Sequence, residues 1–131
     1  MTDRTDDRTR LAEMIRALDY EVEGDEGEKG LRITTNGIHV TVVVYDDGSL
    51  SLVCSAAGED VPLRLEDIND ANNRVRFAKF SRDDKELILE ADFMFSLHDP
   101  SAEQDLSRIM KLWTLALQEL KNLVTELLQE A

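Results

Sequence analysis

The segment DYEVEGDEGEKG, residues 19–30, has residue types that could bind calcium. Acids at its first, third and fifth positions and a glycine at its sixth follow the frame of an EF-hand loop. The twelfth position of that frame must be a bidentate glutamate, and here it is Gly30. Because that ligand is missing, we interpret residues 19–30 as a solvated acidic loop and expect no metal site in them.

The two histidines and the single cysteine do not form a group with an obvious chemistry. His39 and His98 have no second histidine or cysteine at ligand spacing, whereas a structural zinc site needs a set of nitrogen or sulfur ligands. Cys54 lies on the inward side of an alternating strand pattern, without a neighbouring base that would favour its thiolate. We therefore expect no catalytic, metal-binding or cofactor-binding residue, and a protein that is not an enzyme.

The stretch NDANNRVRFAKF, residues 69–80, combines basic and aromatic residues and is the candidate for nucleic-acid binding. RNA-recognition motifs stack bases on aromatic side chains that share one face of a strand. Phe77 and Phe80 are three residues apart, so a regular strand would place them on opposite faces. The net charge of −13 also repels a phosphate backbone. We interpret the stretch as the end of a helix and the start of a strand, and expect no nucleic-acid partner.

The composition is typical of a single domain over residues 1–131 in the cytoplasm. One cysteine cannot form an internal disulfide, which fits a reducing compartment. The N-terminal MTDRTDDRTR is charged and lacks the apolar region of a signal peptide. The apolar runs are shorter than the roughly 18 residues of a membrane helix, so we expect no membrane contact.

Hydrophobic periodicity predicts an α+β chain with the element order α-β-β-β-α-β-β-α. Residues 3–18 have apolar side chains at helical spacing and form the first helix. Three strands follow, in GLRITTNG, IHVTVVVYDDG and SLSLVCS, joined by turns at Asn36-Gly37 and Asp46-Asp47-Gly48. A short helix over residues 63–73, capped by asparagines, precedes a hairpin with strands VRFAKFS and ELILEADFMF. The expected result is a five-stranded antiparallel sheet with helices packed against it.

The last helix, Ala102–Gln129, is the most apolar element and supplies the candidates for an interface. Its heptad seam consists of Leu106, Met110, Trp113, Leu117, Leu120, Val124 and Leu127. A helix with apolar residues beyond one seam needs more than one covering surface, which could be the sheet and a second copy or a partner. The same pattern also suits a plain core. The candidate partner or dimer interface comprises Ile109, Leu112, Trp113, Ala116, Leu117, Leu120, Leu123, Val124 and Leu127.

Residues 68–95, INDANNRVRFAKFSRDDKELILEADFMF, resemble the central signature of the YbjN family, whose members are described as bacterial sensory transduction regulators. The matching features are the asparagines of the short helix, the RFAKF strand and an acidic turn into a long apolar strand. The resemblance implies the fold of the class I type III secretion chaperones, which are small, acidic and usually dimeric. It carries no catalytic residue over to this chain.

The charge, the apolar last helix and the resemblance favour a non-enzymatic protein-binding module. We expect a regulator or chaperone-like adaptor that holds a basic or amphipathic segment of another protein and forms a homodimer. A dedicated type III secretion chaperone for an effector is the alternative. The sequence does not name the partner or a small ligand.

Overall fold

The computed structural model describes residues 4–26, 30–35, 37–45, 48–56, 64–83 and 86–130. The helices are α1 (Arg4–Ala17), α2 (Leu65–Arg74) and α3 (Ala102–Glu130). The strands are β1 (Glu21–Glu26), β2 (Gly30–Thr35), β3 (Ile38–Tyr45), β4 (Ser49–Ala56), β5 (Lys79–Asp83) and β6 (Glu86–Met94). They form one antiparallel sheet with the order β1-β2-β3-β4-β6-β5.

The predicted α+β class with an antiparallel sheet is confirmed, but the sheet has six strands rather than the predicted five. The added strand is β1, which lies in the segment that we interpreted as an acidic loop. After α1, Asp19 adopts a φ of 68° and the Tyr20 N–H donates to the Ile15 carbonyl at 3.4 Å. This turn lays the chain beside β2, where backbone hydrogen bonds hold it despite its polar side chains. A bulge between Val22 and Gly24 accommodates the irregular register.

Glycines occupy the two hairpin turns that the sequence predicts. Gly37 and Gly48 have φ values of 78° and 89°, which other residues rarely adopt. They precede β3 and β4, each of which pairs antiparallel with the strand before it. Asn36, Asp46 and Asp47, which complete the predicted turns, lie outside the described residues.

The core lies between one face of the sheet and the helices α1 and α3. Alternate residues of the strands are buried there, for example Val40 and Val42 in β3 and Leu50 and Leu52 in β4. The α3 helix, about 43 Å long at 1.5 Å per residue, contacts β4 and β6. Each large aliphatic side chain buried in this layer stabilises the fold by about 1.5–3 kcal/mol.

Helix α2 covers the edge of β5 with an asparagine side chain. Asn72 Nδ2 donates to the Phe80 carbonyl at 2.9 Å, and the Phe80 N–H donates to Asn72 Oδ1 at 2.6 Å. One side chain thus satisfies both backbone groups of an edge residue, as a neighbouring strand would. The predicted role of the asparagines as a helix cap is wrong, because α2 continues through Arg74 and ends at Val75 in an extended conformation.

Replacing Asn72 by alanine should leave the backbone N–H and carbonyl of Phe80 without these partners. We expect Asn72→Ala to lower the free energy of unfolding in urea by about 1–3 kcal/mol. Asn73 is the exposed neighbour on the same helix. Asn73→Ala should change the free energy of unfolding by less than about 0.5 kcal/mol. The two changes alter helix propensity alike, so equal losses would contradict the edge-covering role of Asn72.

Candidate functional site on the open face of the sheet

The second face of the sheet is not covered by any helix of the described residues. In β3, the buried Val40 and Val42 alternate with Thr41 and Val43, which are half-buried on the other side. The same alternation runs through β4 and β6. We call this surface the open face. It consists of Arg32, Thr34, His39, Thr41, Val43, Tyr45, Ser49, Ser51, Val53, Ser55, Lys79, Ser81, Asp83, Glu86, Ile88, Glu90, Asp92 and Met94.

A short apolar diagonal crosses the centre of the open face. Val43 lies opposite Ser51 on β4, so Val53 is its diagonal neighbour. Val53 lies opposite Glu90 on β6, so Ile88 continues the diagonal. Diagonal neighbours in a sheet are about 7–8 Å apart, so one docked surface could contact all three side chains. All three side chains are half-buried.

Further apolar side chains stand out at one end of the open face. Tyr45, Ser49 and Met94 lie opposite one another across β3, β4 and β6. The Tyr45 side chain is 46% exposed and Met94 is 89% exposed. A methionine this exposed contributes little to the fold of the single chain, and such side chains are frequent at binding surfaces.

A shallow concavity of about 660 Å³ lies on the open face, beside the apolar diagonal. Residues from β2, β3, β4 and β6 line it, including Arg32, Thr41, Val53, Ser55 and Ile88. It opens widely to solvent. Small-molecule sites usually enclose most of their ligand. This shape suits a segment of polypeptide better.

A polar cluster joins β1, β2 and β3 at the border of the open face. His39 Nδ1 lies 3.1 Å from Glu23 Oε2 and 3.1 Å from the Thr34 hydroxyl. Arg32 Nε lies 3.6 Å from the same Glu23 oxygen. The hydrogen bond from Thr34, assisted by the charges of His39 and Arg32, holds the pKa of Glu23 below its usual value of 4.5. The cluster ties the edge strand β1 to its neighbours.

Acidic residues dominate the opposite border, on β5 and β6. Asp83 and Glu86 lie directly opposite each other and are both exposed. Like charges in such a pair destabilise a sheet. Asp92 is exposed and Glu90 is half-buried, opposite Lys79. Within the described part of the chain, the ion pairs involve none of these four acids.

The cysteine and the histidines of the described residues lie in different surroundings. Burial raises the pKa of the Cys54 thiol to about 12, so the thiol stays protonated and unreactive at neutral pH. No three His, Cys, Asp or Glu side chains among the described residues come close enough to hold a metal ion. His98 Nε2 lies 3.1 Å from Asp7 Oδ1, so His98 and His39 have different partners. The calcium frame of residues 19–30 is occupied partly by β1, and residues 27–29 lie outside the described residues.

The structure places most of the interface candidates on α3 in the core of the single chain. The buried ones are Ile109, Trp113, Ala116, Leu117, Leu120, Leu123 and Leu127. Leu112 and Val124 are half-buried. Two exposed leucines of α3 were not among the candidates, namely Leu115 at 61% and Leu128 at 50% exposure. Leu115 lies outside the heptad seam, so the periodicity gave no signal for it.

The basic-aromatic stretch does not form a stacking platform. Strand β5 begins at Lys79, and Phe77 precedes it in a bend. Phe80 is 1% exposed, and Phe77 packs against the same core with its ring centroid 6.3 Å from that of Phe93. The prediction that Phe77 and Phe80 lie on opposite faces is therefore wrong, because the strand starts later than the sequence indicated. Both aromatic side chains are used in packing.

Comparisons with known proteins agree with this geometry. A family model, YbjN, described as "Putative bacterial sensory transduction regulator", matches residues 7–126. No curated protein matches the chain in sequence. None of the helices in the described residues is both long enough and apolar enough to span a membrane.

Three solved structures share the fold. YbjN from E. coli, described as "a putative transcription regulator", has a TM-score of 0.57 at 12% identity, over 88% of this chain and 87% of that chain. The Yersinia pestis type III secretion chaperone SycH, in complex with a stable fragment of YscM2, has a TM-score of 0.53 at 20% identity, over 84% of this chain and 96% of that chain. An uncharacterized protein from Methanothermobacter thermautotrophicus has a TM-score of 0.55 at 11% identity, over 92% of this chain and 99% of that chain. At these identities the likeness shows the fold alone.

The cluster around Glu23 gives a prediction for pH. Thr34→Val removes the hydroxyl and keeps a β-branched strand residue, so the pKa of Glu23 in an NMR titration should rise toward 4.5. His39→Gln should raise the pKa of Glu23 by less than Thr34→Val does. Because the folded pKa is lowered, ionised Glu23 stabilises the fold above its unfolded pKa of about 4.5, and this contribution is lost as the pH falls through the folded pKa. An unchanged pKa in Thr34→Val would contradict the hydrogen bond as the main cause.

Proposed function

The chain belongs to the YbjN family, and we propose that it is a single-domain, non-enzymatic module that binds a segment of another protein. It would act as a regulator or chaperone-like adaptor in the cytoplasm. The family description names a regulator and no enzymatic reaction. The fold is that of YbjN and of the chaperone SycH, so the predicted resemblance to this family and to the secretion-chaperone fold is confirmed.

The open face is the observation that carries this proposal. A sheet with helices on both faces would be fully used in its own fold, whereas this sheet leaves an apolar diagonal and exposed side chains in solvent. The structure of SycH contains a fragment of a second protein, YscM2, and shares this fold. That precedent supports a protein partner for this chain. A dedicated type III secretion chaperone for an effector is the narrower form of the same proposal.

A tagged copy of the chain, purified from its host after mild crosslinking, tests the proposal. We expect at least one partner protein in a fixed ratio to the chain, retained after a wash at moderate salt. An untagged copy expressed in excess should compete that partner away. Recovery of the chain without any partner under these conditions would count against a binding module.

We propose in addition that α3 forms a homodimer interface through its outer surface. Leu115 is exposed and Leu112 lies one turn before it, so the two present a small apolar patch. In an antiparallel pair of α3 helices centred on this patch, Leu112 of one copy would face Leu115 of the other. Val124 remains a second candidate, and the seven buried candidates would act by holding α3 in place.

Light scattering tests the dimer. We expect a mass of twice the 14.9 kDa of one chain, and a single-chain mass for Leu115→Glu, because a charge would have to be buried in the interface. Leu65→Glu is the matched control, since Leu65 on α2 is exposed to the same degree, 62% against 61%. Dissociation by both variants, or by neither, would contradict α3 as the interface. Changes at Leu117 or Leu120 are uninformative because both side chains lie in the core.

A further inference from the structure

We propose that the open face binds a basic amphipathic helix of the partner protein, and this inference rests on the proposed function. The apolar side of the helix would lie on Val43, Val53 and Ile88. Its basic side chains would reach the acids at the β5–β6 border of the open face, which are Asp83, Glu86, Glu90 and Asp92.

The shape of the open face favours a helix over an extended segment. An extended segment binds a sheet through the backbone groups of an edge strand, whereas the apolar diagonal lies in the centre of the face. Serines beside the diagonal, such as Ser51 and Ser55, are short and let a helix approach closely. Helices that cover a sheet face are the usual second layer in α+β proteins, and α3 already covers the first face in this way.

The charges of the open face select a basic partner. Asp83 and Glu86 repel each other in the single chain, and a cation placed between them would relieve that repulsion. Asp92 is also exposed, but it lies further along β6, roughly 20 Å from Glu86, and it has no ion pair in the described part of the chain. The chain as a whole has a net charge of −13, which attracts a basic partner from a distance.

The same charges disfavour a second copy of this chain as the occupant. Two open faces that met about a twofold axis perpendicular to the strands would bring the acids of β5 and β6 together with those of the other copy. Juxtaposed like charges in an interface cost several kcal/mol. The homodimer proposed through α3 leaves the open face free, so dimer formation and partner binding are separate events.

Binding of a defined peptide tests the inference. The probe is a fluorescent amphipathic helical peptide with leucines on one side and lysines on the other, and its control carries glutamates in place of the lysines. By fluorescence anisotropy at 0.15 M salt, we expect the lysine peptide to bind and the glutamate peptide not to bind. Absence of binding by the lysine peptide, or equal binding of both peptides, would overturn the inference.

Matched variants separate the open face from general charge attraction. The double variant Glu86→Lys/Asp92→Lys should weaken binding of the lysine peptide about tenfold or more, and Val53→Ser should weaken it at unchanged charge. The double variant Glu13→Lys/Asp70→Lys makes the same change in net charge at exposed positions on α1 and α2, and should weaken it less than about twofold. Equal effects of the two double variants would overturn the inference. Circular dichroism checks that each variant is folded.

Two further readouts identify which proposal fails. If the tagged chain with Glu86→Lys/Asp92→Lys or with Val53→Ser still retains the partner of the native chain, the open face is not the binding surface although the binding function stands. If the native chain retains no partner, the proposed function itself fails. Loss of the homodimer in Val53→Ser would show that a second copy covers the open face, which would overturn the inference.

Discussion

Two-residue periodicity in the strands is the constraint on which the rest of the structure depends. In β3, β4 and β6, the large aliphatic side chains fall on alternate positions and therefore on one face of the sheet. That face is buried by α1 and by the long helix α3, which supplies a buried stripe from Leu106 to Leu127. The intervening positions are mostly serine, threonine and acids, with a few apolar residues. The same alternation that builds the core thus also produces an uncovered face.

The two edge strands of the sheet are protected by different means. The β5 edge is covered by α2, where Asn72 bonds both backbone groups of Phe80. At the other edge, β1 carries acids and a bulge, both of which discourage pairing with another strand. The cluster of Glu23, Thr34 and His39 fixes β1 to the sheet. Because both edge strands are protected in this way, the open face, rather than an edge strand, is the surface on which a partner could bind.

Most of the fold could be predicted from the sequence, because strand alternation, glycine turns and helical spacing are local signals. Strand β1 could not, because backbone pairing with β2 holds it and its own side chains show no strand pattern. The role of Asn72 depends on a contact with Phe80 on another element. The candidate site was harder to predict than the fold. A heptad seam looks the same whether its covering layer is the chain's own sheet or a partner, and Leu115 lies outside the seam. The uncovered face follows from where the helices pack, which no single segment reveals.

The partner, as we propose, binds on the open face rather than on the helical layer. Photo-crosslinking in the host cell tests this proposal most directly, with a photoreactive residue placed at Ser51 in the middle of the open face or at Gln118 on the exposed side of α3. We expect a crosslink to the partner protein from position 51 and none to that protein from position 118. A crosslink to the partner from position 118 alone would contradict it.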